Sequence, residues 1–418
     1  MKNTIEDIYR MNFGYGFKDW GGVVYYINAV AEFNLFKKMI GLRYVFLTLP
    51  PTCPFLAVFL LAMVYYVIGL MSGSSLDGLD IAYVQLTEVR DQWSYEIVES
   101  ACMPYPDEWV EKLSQAASLN APELFRLHTS YGHYVGNAVA QFIEHNQLQH
   151  RLHFVASHGH TVWHEPETRT TVQIGDGAAI AAILQVPVIS DLRNVDVALG
   201  GQGAPIVPVA DRYLFSEYDF CLNIGGIANI TINHEQPIAF DICPANQLLN
   251  HFAQQTGLPY DRDGAVAETG QVIMEVLEAA GRSSFYQTDP PKSLDNRFAQ
   301  EILIPLFQQQ NAADHLRTSV QHIAEQIKRA IKPYLHAGKQ QQMLVTGGGA
   351  LNKFLITKIQ EELGEECLVI VPEENTVLYK EALAMALIGT LRWREEINIW
   401  NSVTGAARSS IGGAIWLS

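Results

Sequence analysis

Three apolar runs in this chain break off into loops of small residues where a β-strand would end: Met71–Asp80, Leu222–Thr231 and Val345–Asn352. Glycine and serine at such a point let backbone N–H groups approach an anion closely, which is how phosphates are held without a lysine. One loop of this kind is most often an ordinary turn. Three of them, one opening each half of the chain and one near its end, are what a nucleotide clamp between two similar α/β halves requires. No GxxxxGK[ST] string and no GxGxxG following a strand occurs, so a P-loop NTPase and a simple Rossmann dehydrogenase are disfavoured.

Around the loops the chain alternates strand and helix patterns, the mark of an α/β fold. Tyr65–Met71 reads as a strand, and Leu79–Thr87 as its antiparallel neighbour after the turn Ser72–Gly78. Apolar residues at helical spacing (Leu124, Leu127, Tyr131, Val135, Val139, Phe142) predict a helix over Pro122–His145. Further strands are expected at Phe154–Ser157, Val186–Ser190, Phe220–Ile224, Ala228–Ile232 and Met343–Thr346, with helices at Thr318–Leu335 and around Glu381–Arg394. A length of 418 residues calls for two domains, and 48% hydrophobic residues supply cores for both. The net charge of −16 would repel a phosphate backbone, so nucleic acid and anionic membrane are disfavoured partners. Cys53, Cys102, Cys221, Cys243 and Cys367 are odd in number and form no CxxC, which points away from disulfides and structural zinc and toward a reducing cytoplasm. Tyr44–Leu76 carries no charged side chain, but Pro50, Pro51 and Pro54 break it, leaving too short a run for a membrane helix of about twenty residues. Residues 1–62 therefore read as an appended tail outside the fold, or as an upstream reading of the frame with the working start at Met63.

The strings GLMSGSSLDGLD (69–80), ASHGHTVWHEP (156–166), TVQIGDGA (171–178), SDLRNVDVALGGQGAPIVP (190–208), LNIGGIANIT (222–231), FDICPANQLLN (240–250), YDRDGAVAETG (260–270), PPKSLDNRF (290–298) and VTGGGALN (345–352) resemble the anhydro-N-acetylmuramic acid kinases in order and spacing. The resemblance runs from Met63 to the C-terminus. It implies the actin, Hsp70 and hexokinase fold: two RNase H-like domains enclosing a cleft, here residues 63–190 with 376–418, and 191–375. It also implies an ATP- and Mg²⁺-dependent reaction on a small amino sugar. Water opens the 1,6-anhydro bridge at C1 while O6 takes the γ-phosphoryl group, giving N-acetylmuramic acid 6-phosphate in cell-wall recycling. Self-association into a homodimer is compatible with this.

Such a reaction needs a base for water, a metal to neutralise phosphates and a closed cleft. The resemblance assigns the base to Asp241, after the strand Ile238–Phe240; its residues alone would equally allow a helix N-cap. Cys243 and Ala245 stand where family members have glycines. Gly73, Ser74, Ser75, Leu76, Asp77, Gly78, Leu79 and Asp80, with Gly225, Gly226, Gly347, Gly348 and Gly349, are the expected ATP-binding residues. Met71 occupies the position of a metal aspartate in the wider fold, so Asp77 or Asp241 is expected to hold magnesium. Asp191, Arg193 and Asp196 would bind the sugar, an arginine among carboxylates suiting its lactyl carboxylate and hydroxyls. Glu381 would face the sugar from the start of a late helix. His158, His160 and His164 lack a zinc motif, and Asp261–Gly264 lacks the rest of a calcium loop. Two other readings stay open: another sugar or polyol kinase of this fold, and an Hsp70- or actin-type protein that closes on nucleotide without a small substrate.

Overall fold

The computed structural model describes residues 42–45, 60–73, 75–234, 237–290, 292–295, 297–308, 311–336 and 338–417. Among them the strands form a sheet of eight and a sheet of five. The first holds β1 (Leu42–Val45), β2 (Leu60–Ser72), β3 (Gly78–Val89), β4 (Gln92–Pro104), β5 (Phe154–Glu165), β6 (Thr170–Ile174), β7 (Val188–Ser190) and β13 (Ala414–Trp416). The second holds β8 (Phe220–Ile224), β9 (Ile227–Ile232), β10 (Ile238–Pro244), β11 (Gln341–Thr346) and β12 (Cys367–Ile370). Helices used below are α1 (Ala121–His145), α2 (Asn194–Ala198), α3 (Pro208–Leu214), α4 (Asn246–Gln254), α5 (Ala312–Ile331), α6 (Lys353–Leu363), α7 (Glu374–Trp393) and α8 (Asn401–Thr404).

The two sheets repeat one plan. β4-β3-β2-β5-β7 and β10-β9-β8-β11-β12 both run third, second, first, fourth, fifth in chain order. In each, the third strand is antiparallel to the second, and the first, fourth and fifth are parallel. This is the paired α/β architecture that the sequence resemblance implies. β13 adds an antiparallel edge to β7.

Residues Met1–Met63 and Val64–Ser418 form separate compact units. In the first, β1 lies antiparallel to Leu60–Met63, so the strand expected from Tyr65 begins earlier, at Leu60. The rest of the 1–62 tail, Cys53 included, lies outside the described residues. No described helix is long and apolar enough to cross a membrane.

In the second unit each sheet buries its face under helices. Ile68, Leu70, Ile81 and Tyr83 pack with Tyr131, Val135 and Phe142 of α1, whose start is fixed by a capping box between Asn120 and Glu123. Phe220, Leu222 and Ile224 pack with Leu316, Val320 and Ile323 of α5 and Leu355 of α6. α7 serves both halves. A Cβ at Gly69 of β2 would stand 1.9 Å from the Ala382 carbonyl oxygen, so glycine is required for strand and helix to touch backbone to backbone. Farther toward its N-terminus, Val377 O of α7 accepts a hydrogen bond from Gly347 N–H (3.1 Å) in the second half. The helix bends between these contacts at Tyr379 (φ −113°, ψ 16°). It begins at Glu374 rather than near Glu381, because a helix buried on nearly every side has no amphipathic period to mark its start.

Candidate active site

The two glycine loops of the second half leave neighbouring parallel strands side by side, since Thr346 of β11 is in register with Asn223 of β8. Gly347 adopts φ +81°, and a Cβ there would meet Asn223 Oδ1 at 2.4 Å and Ile224 O at 2.8 Å. At Gly349 it would meet Ile224 Cγ2 at 2.2 Å. The loops are thus pressed together until only glycine fits. The start of α4 completes the floor: Asn246 N–H donates to Gly225 O (3.1 Å), and Ala245 and Gln247 N–H donate to Gly226 O (2.8 and 3.1 Å). Gly225, Gly226, Gly347 and Gly348 are therefore brought close together, with Gly349 buried behind them against Ile224.

The first loop joins β2 to β3. Ser74 lies outside the described residues. Ser75 Oγ donates to Asp77 Oδ1 (2.6 Å), as does Gly78 N–H (3.1 Å), which closes a tight turn. Leu76 holds a left-handed φ of 57°. Leu79 and Asp80 are already in β3, paired with Met103 and Cys102. The Leu79 side chain is in the core, so it has no side-chain role toward a nucleotide. Asp80 is different: burial, followed by the nearby charges of Asp77 and Glu381, pushes its carboxyl up to about 6, against a lowering hydrogen bond with Cys102. The negative charges of Asp77 and Glu381 thus make ionisation of Asp80 costlier. Among the described residues no group of three or more His, Cys, Asp or Glu is close enough to enclose a metal by itself.

Arg193 organises the second cluster. Its Nε donates to His158 Nε2 (2.8 Å) and its Nη1 to Gly203 O (2.6 Å). Desolvation lowers its pKa to about 10, opposed by the charges of Glu381 and then Asp196. Asp196 is wholly buried at the start of α2, with Oδ1 accepting from Thr404 of α8 (2.7 Å) and Oδ2 from Gly203 N–H (2.8 Å). The run Gly200–Gly203 has to wrap this carboxylate: a Cβ at Gly201 would lie 2.3 Å from Asp196 Oδ2. Glu381, held up by burial, feels Arg193 and Lys380 but forms no ion pair with either. It sits within α7, past the bend, so it is not a charge at a helix N-terminus. Asp191 turns aside from this group. At φ 58° it receives Ser190 Oγ (2.6 Å) and Asn194 Nδ2 (3.4 Å), stabilising the turn out of β7.

Asp241 stands apart. β10 continues through it to Pro244 with a bulge between Asp241 and Cys243. Ala245 is the N-cap of α4, so Asp241 caps nothing. Its Oδ2 accepts from Leu294 N–H (2.8 Å) and Ser293 Oγ (3.2 Å). Burial raises its pKa, and these two hydrogen bonds lower it; no charged side chain figures among the causes. Sequence reasoning had no role for a buried chain beneath the first loop, where Tyr105 bridges Tyr131 (2.5 Å) and Ser72 (2.7 Å), and Ser72 meets His160 Nδ1 (2.9 Å). Ser72 immediately precedes Gly73. Its position beside that loop was the available signal, but its partners are remote in sequence.

The family model described as "Anhydro-N-acetylmuramic acid kinase" matches residues 65–418. A protein of that name from Sulfurimonas denitrificans is 33% identical over 376 residues, covering 84% of this chain and 99% of the relative. Another from Francisella tularensis subsp. novicida is 32% identical over 373 residues, covering 84% and 98%. Among solved structures, the activator of the 2-hydroxyisocaproyl-CoA dehydratase from Clostridium difficile, with bound ADPNP, overlaps 79% of this chain and 96% of its own at a TM-score of 0.38 and 15% identity. The readings as another sugar kinase or as a nucleotide-gated binding protein gain no support from the two sequence relatives.

Proposed function

This chain belongs to the anhydro-N-acetylmuramic acid kinases, and we propose how its loops and charged groups divide that reaction among themselves. As a member it is a kinase that opens 1,6-anhydro-N-acetylmuramic acid with water and phosphorylates O6, giving N-acetylmuramic acid 6-phosphate in peptidoglycan recycling. ATP is the donor in this reading. Its phosphates lie along Gly73–Gly78 and against Gly225–Gly226 and Gly347–Gly349, bound by backbone N–H groups. Asp77 and Asp80 would hold Mg²⁺, which when bound neutralises the phosphate charge.

Arg193 binds the lactyl carboxylate and Glu381 the sugar's hydroxyls. Arg193 between the charges of Glu381 and Asp196 is the observation that carries this reading. It also favours Asp196 as the base that takes a proton from water attacking C1. Each of its oxygens accepts one protein hydrogen bond and keeps a second lone pair. The anhydro sugar has no free hydroxyl at C6, so O6 becomes a phosphoryl acceptor only as the C1–O6 bond breaks, and ring opening and transfer are coupled. A second reading keeps Asp241 as base and metal ligand. Its carboxyl, raised by burial, is a stronger base than an exposed aspartate. Cys102, Cys221, Cys243 and Cys367, all unpaired thiols, and the use of ATP support a cytoplasmic enzyme. The deciding assay offers the anhydro sugar and ordinary N-acetylmuramic acid side by side: ATP-dependent product is expected from the anhydro sugar, and preference for the open sugar overturns the reading.

A further inference from the structure

His158 is buried on β5, and both of its ring nitrogens are engaged. Nε2 accepts from Arg193 Nε at 2.8 Å, so the ring proton sits on Nδ1, which donates to Gly159 O at 2.9 Å. Burial and the Arg193 charge push the imidazolium down to about 3, which keeps the ring neutral and able to accept. With His158 on Nε and Gly203 O on Nη1, two acceptors in different elements fix the plane of the guanidinium. Its Nη2 donates to no protein atom among the described residues, and Glu381 acts on the guanidinium through its charge without an ion pair. A guanidinium held in one plane with Nη2 left to donate is suited to pairing with a carboxylate.

We propose that His158 is a positioning residue that turns Arg193 toward the carboxylate of the acidic sugar, and so sets the preference for a substrate that carries one. The proposal rests on the reading of Arg193 as the carboxylate site. A plain structural role would need only bulk at this position. An acceptor aimed at Nε sets direction, and direction matters only to a ligand that pairs with the fork.

The test is steady-state kinetics on 1,6-anhydro-N-acetylmuramic acid and 1,6-anhydro-N-acetylglucosamine, which lacks the lactyl group. Wild type, His158→Leu, His158→Gln and Arg193→Lys are compared, with melting temperatures alongside. His158→Leu should raise KM for the acidic sugar about tenfold while the neutral sugar's KM and both kcat values move less than about threefold. His158→Gln, whose amide oxygen can accept near the place of Nε2, should recover most of that loss. An equal rise for both sugars, or no rise for either, overturns the proposal. If Arg193→Lys leaves the preference for the acidic sugar intact, the carboxylate reading of Arg193 fails first. If Arg193→Lys abolishes it and His158→Leu does not, His158 alone is wrong. Should the leucine variant not fold, His158→Asn takes its place, since its shorter amide is polar but cannot reach Arg193.

Discussion

Lys380 Nζ stands 2.6 Å from Asp211 Oδ1 with both side chains almost fully buried. The pair ties α7 to α3, and Asp211 Oδ2 also accepts from Thr231 Oγ1 of β9 (2.7 Å), so one carboxylate links the shared helix to the second sheet. Burial alone would lower the Lys380 pKa, yet Asp211 holds it above the usual lysine value. Asp211→Ala leaves an ammonium buried without a partner and should destabilise the protein by about 3–5 kcal/mol. Denaturant unfolding measures this, and Asp211→Leu combined with Lys380→Met should recover most of the loss.

Asp196→Asn and Asp241→Asn each preserve shape and remove a proton acceptor. Loss of the base should cut turnover by about 10²–10⁴-fold with ATP affinity little changed. The larger loss is expected at Asp196. Turnover of the anhydro sugar beside nucleotide affinity by calorimetry decides it, and a greater fall in Asp241→Asn returns the role to that residue.

Burial and the charges of Asp77 and Glu381 hold the Asp80 carboxyl at about 6 in the fold, against an ordinary value of 3.8. A carboxyl raised in this way binds more protons folded than unfolded, so its contribution favours folding below pH 4 and is lost as pH rises to about 6. Asp80→Asn should flatten that part of the stability profile and stabilise the metal-free protein at pH 7 by on the order of 1–2 kcal/mol, after discounting for partial exposure. Mg²⁺ with nucleotide should release a proton between pH 5 and 7, roughly where the carboxyl titrates, and chelating the metal should abolish turnover. No proton release would remove Asp80 from the metal site.

Gly347→Ala forces a methyl against Asn223 Oδ1 and Ile224 O at a left-handed φ of +81°. A cost of about 1–3 kcal/mol in stability is expected. Nucleotide affinity should fall by about tenfold or more, equivalent to about 1.4 kcal/mol, as the two loops part. Calorimetry with a non-hydrolysable ATP analogue reads the second effect.

A chain beginning at Met63 should retain ATP-dependent activity close to that of the full chain, because the family match begins at residue 65. Insolubility or loss of activity would make the residues before it structural.

The glycine loops, the strands that lead into them and the long helices are legible because glycine at strand ends and apolar periodicity are local signals, whereas β4 and β12 give no such signal and the order of strands in a sheet is a long-range property. The start of α7 is not, since the helix is buried on nearly every side over Ala382–Leu391 and shows no period there to trace back to its first turn. Asp241 was read as a strand end because the bulge that carries β10 through to Pro244 leaves no trace in residue type. The role of His158 was hidden for another reason: Arg193 comes to it only when β5 and the turn after β7 fold together. His158 was weighed as a zinc ligand, a question its neighbours in sequence could pose but not answer.

The bend at Tyr379 divides α7 into two arms on a single fulcrum. One arm, Glu374 to the bend, carries Val377, whose carbonyl accepts from the Gly347 loop, and the other carries Glu381, proposed above to face the sugar. A nucleotide that settles the first arm changes the leverage on the second, and a sugar that draws in Glu381 does the reverse. The two ligands should therefore tighten each other's binding by one and the same factor, whichever arrives first.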